Sequence, residues 1–278
     1  MKLKGFFVRY STPAASVLIA GISLAVLLSW IMNVPAAFTL MQNSIPMPPV
    51  AAVLCLLLSP ALVFMRSKDR AMKKTAAVLA VIVIAVLIVQ TVFLYGAADA
   101  YRRMVLQGNF MFGIPIGHMS PIGIGIVALI ALAVLLESLS YRTRRIVDTA
   151  ALLAMIAACI ITTGYWYGAP FLYGGSIIPV PFVSASVFIM AAFAVLMAKP
   201  DALFARILTG QTVFASLIRY LVPAITIVVL FIGWHESAIT IKMAKQAGVI
   251  VNSIMTLLAI ALLVFVSVVI SRRVGRKL

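Results

Sequence analysis

Apolar runs alternate with short polar or basic turns along the whole chain. The runs cover 14–32, 48–65, 75–95, 121–138, 149–164, 181–198, 220–235 and 249–270. Each is close to the ~20 residues that a helix needs to cross a hydrocarbon layer about 30 Å thick. This pattern predicts an all-α membrane protein, a bundle of about eight transmembrane helices, with 1–278 as a single polytopic domain. Lys2, Lys4 and Arg9 precede the first run. A signal peptide cleaved near Val34-Pro35-Ala36 is the competing reading, but the run exceeds the usual apolar core of about 7–15 residues. It is therefore taken as a first span.

The segment from Tyr165 to Ser186, YWYGAPFLYGGSIIPVPFVSAS, interrupts this rhythm with aromatics, glycines and prolines. It predicts a structured loop that leads into the sixth span. Shorter relatives of its closing half precede the second span (SIPMPPVAAV, Ser44 to Val53) and the fourth (PIGHMSPIGI, Pro115 to Ile124). Each places Pro at a helix start, where the missing N–H would have no intrahelical partner anyway. Three helical hairpins plus a final pair of helices are the simplest account. Between the third and fourth spans, AADAYRRMVLQ predicts a short interfacial helix, with Asp99 one turn from Arg102 and Arg103. Residues 199–219 predict a linker with a surface-lying helix, and His235 to Gln246 a polar hairpin.

Composition agrees with the pattern: hydrophobic residues make up 64% of the chain and charged residues 10%. A net charge of +16 raises the question of nucleic acid. The cations instead sit in short clusters between spans, where they set topology, so no nucleic-acid partner is expected. Counted on alternate sides of eight spans, Lys and Arg number 18 on the side of both termini and 4 on the other, together all 22. Both termini are therefore expected in the cytoplasm. Trp30, Trp166 and Trp234 all fall at outer span ends, as an aromatic belt would. The basic turns also suit contact with anionic headgroups of the lipid bilayer.

Candidate chemistry is sparse. The acids are Asp69, Asp99, Glu137, Asp148, Asp201 and Glu236, and the histidines are His118 and His235, all at or near span ends. An ion-coupled transporter would carry ionisable groups deeper in its spans. Glu137 sits about one turn from Arg142, and an interfacial ion pair is the expected role. His118 and His235 share a side but lack ligand spacing, so no metal and no cofactor is expected. Cys55 and Cys159, far apart in apolar runs, read as small buried hydrophobes. His235-Glu236 has the first two residues of a phosphoacceptor box but not its continuation. An intramembrane enzyme acting on lipid would have to rest on Glu137 or Asp148. Polar positions in the outer halves of spans, Gln90, Thr91, Thr162, Thr163, Ser184, Ser186, Asn252, Ser253 and Thr256, could line a pocket. They could equally serve helix–helix packing.

The loop Tyr167-Gly168-Ala169-Pro170-Phe171-Leu172-Tyr173-Gly174-Gly175-Ser176-Ile177-Ile178-Pro179-Val180 resembles a signature in the N-terminal integral-membrane modules of bacterial and archaeal sensor histidine kinases. Met119-Ser120-Pro121 is similar to a second helix start of that family. The segment from Gly210 to Pro223 resembles a Gly, Leu-hydrophobic-Arg, Pro pattern. The tail Arg272-Arg273-Val274-Gly275-Arg276 resembles the start of the linker into PAS and kinase domains. The resemblance implies a signal-input domain in the cytoplasmic membrane of a prokaryote. Its output, a kinase or PAS domain, would lie in cis or on a partner in trans, and a homodimer is one assembly open to it. Nothing in these residues resembles a phosphoacceptor helix or an ATP-binding domain, so no catalysis is expected of the chain itself. The residues expected to shape the signal loop or touch a ligand are Tyr165, Trp166, Tyr167, Tyr173, Gly174, Gly175, Pro179, His118, Gln90 and Asn252. A small multi-pass transporter or permease for an uncharged substrate is the alternative.

Overall fold

The computed structural model describes residues 2–34, 39, 44–96, 110–111, 114–115, 118–139, 144–167, 178–199, 205 and 213–239. Seven helices occur among them: α1 (Lys2–Ile31), α2 (Pro49–Phe64), α3 (Arg70–Gly96), α4 (Pro121–Leu139), α5 (Arg144–Trp166), α6 (Phe182–Leu196) and α7 (Val213–Ile239). Stretches of α1, α3, α4 and α5 are long and apolar enough to cross a membrane; α2, α6 and part of α7 are shorter apolar helices. The protein is a membrane helical bundle. A two-residue ladder pairs Phe110–Met111 with Ile114–Pro115 in antiparallel register, within the connection from α3 to α4. The expected span 249–270 and interfacial helix 97–107 lie outside the described residues.

Several helices outrun their apolar runs. α1 begins at Lys2 rather than near 14 and carries Pro13 inside it. α5 begins at Arg144 rather than 149. α7 extends over 213–239, so residues expected in the 199–219 linker and in the 235–246 hairpin are helical. Apolarity marks the hydrocarbon layer, whereas backbone hydrogen bonding carries a helix on into the headgroup region.

The chain divides into two compact units: Met1–Tyr165 with Pro170–Ala202, and Trp166–Ala169 with Leu203–Leu278. In the first unit α2, α4 and α6 pack on one another, and they are the three helices that the proline-bearing segments introduce. Ten of the fifteen residues of α6 are buried, many of them alanine, which lets neighbouring backbones approach closely. α1 packs on α2 and α6, and α3 on α2 and α4. The spans in α1 and α3 are 33% and 28% buried, against 50% for α4, so they form the outer layer. α5 keeps alanines inward (Ala150, Ala151, Ala154, Ala158) and Ile146, Leu153, Ile156 and Ile160 outward. That inversion of the soluble pattern suits a lipid-facing helix.

Hydroxyl groups tie α1 to its neighbours. Ser16 and Ser59 exchange hydrogen bonds: Ser59 Oγ donates to the Ser16 carbonyl at 2.8 Å, and Ser16 Oγ donates to the Ser59 carbonyl at 2.5 Å. Thr12 Oγ1 donates to the Ala194 carbonyl of α6 at 3.0 Å. All three side chains are buried, where a hydroxyl needs a partner.

Candidate functional site

The three proline-bearing segments share one geometry. Met47-Pro48-Pro49, Met119-Ser120-Pro121 and Val180-Pro181-Phe182 each read buried, buried, half-buried. Each makes the same first helical hydrogen bond, from Ala52 N–H to Pro48 O, Ile124 N–H to Ser120 O, and Ala185 N–H to Pro181 O. The helix-capping prolines have nearly the same backbone, Pro48 at φ −63°, ψ 144° and Pro181 at φ −62°, ψ 149°.

Helix length explains why these segments are buried. α2 and α6 have 16 and 15 residues, roughly 23 Å of helix against a hydrocarbon layer of about 30 Å. Buried non-helical backbone, Ser44–Pro48 and Pro179–Pro181, precedes them. Non-helical backbone at membrane depth is tolerated only where protein satisfies its polar groups. Proline removes the donors, since Pro46, Pro48, Pro179 and Pro181 have no N–H. The carbonyls still need partners. Trp30 Nε1 donates to the Met47 carbonyl at 2.8 Å, and the Tyr165 hydroxyl donates to the Val180 carbonyl at 2.8 Å. The two acceptors are equivalent positions, and each donor is an aromatic at the end of the preceding outer helix. At the start of α6 the Phe182 N–H donates to Ser44 Oγ at 3.3 Å, which joins the first such segment to the third.

Local chain stops hold the donors in place. α1 ends with Asn33 in the left-handed region at φ 58°, Val34 N–H on the Ser29 carbonyl and Asn33 N–H on the Trp30 carbonyl. This is the Schellman closure, for which Asn is the usual substitute for Gly. Tyr165 is also fixed by an edge-to-face contact with Phe182, ring centroids 5.7 Å apart.

The residues expected around a signal loop are distributed as follows. Tyr165 is buried and bonded to Val180, and Pro179 is buried in the non-helical segment before α6. Trp166 is exposed at the end of α5. Tyr167 lies in the second unit, where it fills the notch at Gly233 of α7: a Cβ there would be 2.6 Å from the tyrosine hydroxyl oxygen. His118, half-buried, precedes α4, and burial holds its imidazole below the usual histidine range. Gln90 is half-buried on α3. Tyr173, Gly174, Gly175 and Asn252 lie outside the described residues. The hydroxyls considered for a pocket wall bond to their own helices instead: Thr91 to Leu87 O, Thr162 to Ala158 O, Thr163 to Cys159 O and Ser186 to Phe182 O. Such back-bonding uses the hydroxyl proton within the helix and leaves the oxygen as an acceptor.

At the opposite ends of the helices lies a buried charge cluster. Glu137 of α4 is 3% exposed. Arg144 of α5 donates to its Oε2 at 2.8 Å and also meets Asp148 at 2.8 Å. Lys199, just beyond α6, pairs with Oε1 of Glu137. Two anions and two cations thus cancel while joining α4, α5 and the end of α6. Arg142, the partner expected for Glu137, lies outside the described residues. Lys199 is 62 positions from Glu137 in the chain, and no local spacing could have named it. Trp30 and Ser44 were missed as well, although an aromatic followed about 15–17 residues later by a hydrophobic-Pro pair, as in Trp30/Met47 and Tyr165/Val180, is a usable signal. Cys55 is buried and Cys159 is exposed, the latter against expectation, because its side of α5 faces outward.

No family model, no curated protein and no solved structure matches this chain.

Proposed function

We propose that this chain is a membrane-embedded signal-input module, with the 165–181 loop as its receiving element and a cytoplasmic segment as its output. The observation that carries this reading is the contact that the start of that loop makes with α7. Tyr167, just past the end of α5, belongs to the second unit with α7. Tyr167 seats its ring on Gly233 of α7. The other end of the loop is fixed through Val180 to Tyr165 and through Phe182 to Ser44. A ligand, lipid or membrane state that reshaped the segment around Tyr167 would act on α7 through Gly233, and thereby bias two helix arrangements. The resemblance of the loop to sensor-kinase membrane modules points the same way.

In this reading eight spans form three hairpins and a final pair, both termini are cytoplasmic, and the membrane is the inner membrane of a prokaryote. The last span passes the change to a kinase or PAS output, in cis or in trans, and the chain has no catalysis of its own. The test is made in native membranes with the gene at its own locus. An immunoblot should show a mass well above the 29.8 kDa of these residues, or a co-isolated phosphorylating partner. Gly174→Val with Gly175→Val should change its phosphorylation. Flux of an uncharged solute into vesicles, with phosphorylation unaffected by the loop variant, would overturn the proposal in favour of a transporter.

A further inference from the structure

We infer that the turn between α2 and α3 is a binding site for anionic phospholipid in the leaflet it faces. Arg66, Lys68, Arg70, Lys73 and Lys74 crowd into nine residues with a single acid, Asp69. That acid is engaged by backbone: Asp69 Oδ1 accepts from Ala71 N–H at 2.9 Å, and its own N–H donates to Ser67 Oγ at 3.0 Å. It acts as the cap of α3. Among the described residues, Lys68, Arg70, Lys73 and Lys74 make no ion pair.

Two electrostatic terms make this arrangement unfavourable without an outside anion. Arg70, Lys73 and Lys74 occupy the opening of α3, the end where the helix dipole disfavours cations. Arg70 also faces Lys73 and Lys74 at three- and four-residue spacing, where like charges repel. Position then selects the anion. Arg70 and Lys74 stand in the same four-residue row as Val78 and Ile82, and all four side chains are exposed. Val81, Ile88, Val89 and Val92 continue that exposed apolar side along the span. Lys74, roughly 6 Å along the helix from Val78, falls inside a headgroup layer about 5–8 Å deep, and Arg70, roughly 12 Å away, stands on the water side of that layer. One lipid can therefore place its phosphate at Lys74 and Arg70 and its acyl chains along Val78 and Ile82. A soluble phosphate would use only the first half of this surface.

The test titrates the purified full chain with phosphatidylglycerol, or with phosphatidylcholine of the same acyl length, and counts bound lipid by native mass spectrometry. The wild type should prefer phosphatidylglycerol. Arg70→Gln with Lys74→Gln should weaken that lipid roughly 25-fold, about fivefold per cation removed, and leave phosphatidylcholine unchanged. Arg70→Lys with Lys74→Arg should retain the preference, which separates charge from damage to the helix. Unchanged phosphatidylglycerol affinity in the glutamine variant would overturn the inference. So would full displacement by millimolar inorganic phosphate, which would mark a site for a soluble anion.

Discussion

Removing the carboxylate of Glu137 tests whether the buried charge cluster holds three helices together. Its side chain is 2% exposed, while those of Arg144 and Lys199 are 17% and 14% exposed. Breaking a fully buried ion pair from one side costs about 3–5 kcal/mol, because the other charge stays buried. Here the two cations sit at helix ends and can extend toward water on their aliphatic stems. The cost of Glu137→Ala should therefore fall to about 2–3 kcal/mol. Glu137→Gln, which keeps one acceptor for Arg144, should cost about 1–2 kcal/mol. Lys199→Met alone should cost less still, since Arg144 continues to neutralise Glu137. The double variant Glu137→Leu with Lys199→Met should be more stable than the two single losses sum to, with a coupling of roughly 1 kcal/mol or more. Reversible unfolding in mixed detergent micelles, titrated with SDS, measures all of these. If Glu137→Ala lies within about 0.5 kcal/mol of wild type, the exposed-surface-pair regime, the cluster is not what joins α4 to α5 and the end of α6. If Glu137→Leu is stabilising on its own, desolvation of the charges outweighs their attraction.

Three further outcomes follow from single contacts. Tyr165→Phe leaves the Val180 carbonyl without its donor while keeping the ring on Phe182, and should cost about 1 kcal/mol in the same unfolding assay; Trp30→Phe, at the equivalent carbonyl of Met47, should cost about as much. Gly233→Val drives a side chain into the Tyr167 ring and should destabilise by about 1–3 kcal/mol; in the background of Tyr167→Ala the same change should cost clearly less, and additive losses would show that the two residues do not touch. His118 has its affinity for a proton lowered by burial in the folded state. The unfolded chain then binds more protons below about pH 6.5, so stability should decline as pH falls through that value and level off below the folded-state pKa. His118→Gln should flatten the decline in unfolding midpoints measured from pH 7.5 to 5.

How far the fold was legible depended on which physical constraint a feature obeys. Seven apolar helices were visible because the hydrocarbon layer filters apolar residues over a fixed length, and that filter acts residue by residue. Helix ends were less visible, because backbone hydrogen bonding continues α1 and α5 past the apolar residues that mark the hydrocarbon layer. The three proline-bearing helix starts stood out as repeats, since each solves one local problem: buried backbone with few donors. Their partners did not stand out. Trp30 and Tyr165 read as belt or ligand-contacting aromatics until the carbonyls of Met47 and Val180 were seen to need hydrogen bonds. Glu137 read as an interfacial pair, and a pair it is, but its choice of Arg144 and Lys199 depends on how α4, α5 and α6 meet.

The equivalence of the helix starts also bears on how the first and third connections differ. In the first hairpin 17 residues separate the aromatic donor Trp30 from its acceptor Met47, and in the third 15 separate Tyr165 from Val180. Both ends of each connection are therefore tied within the bundle by a hydrogen bond between a buried carbonyl and an aromatic side chain. Loops held between rigid posts can carry specialised sequence at little cost to the scaffold. The first connection spends its length on a plain uncharged stretch, whereas the third spends it on Trp166, Tyr167, Phe171, Tyr173 and three glycines. Equal anchoring with such unequal composition means that the aromatic content of the third loop is not required by the fold of the hairpin. Its one described contact beyond the anchors, Tyr167 on Gly233, leads into α7. That contact gives one aromatic of the loop, Tyr167, a use beyond closing the hairpin.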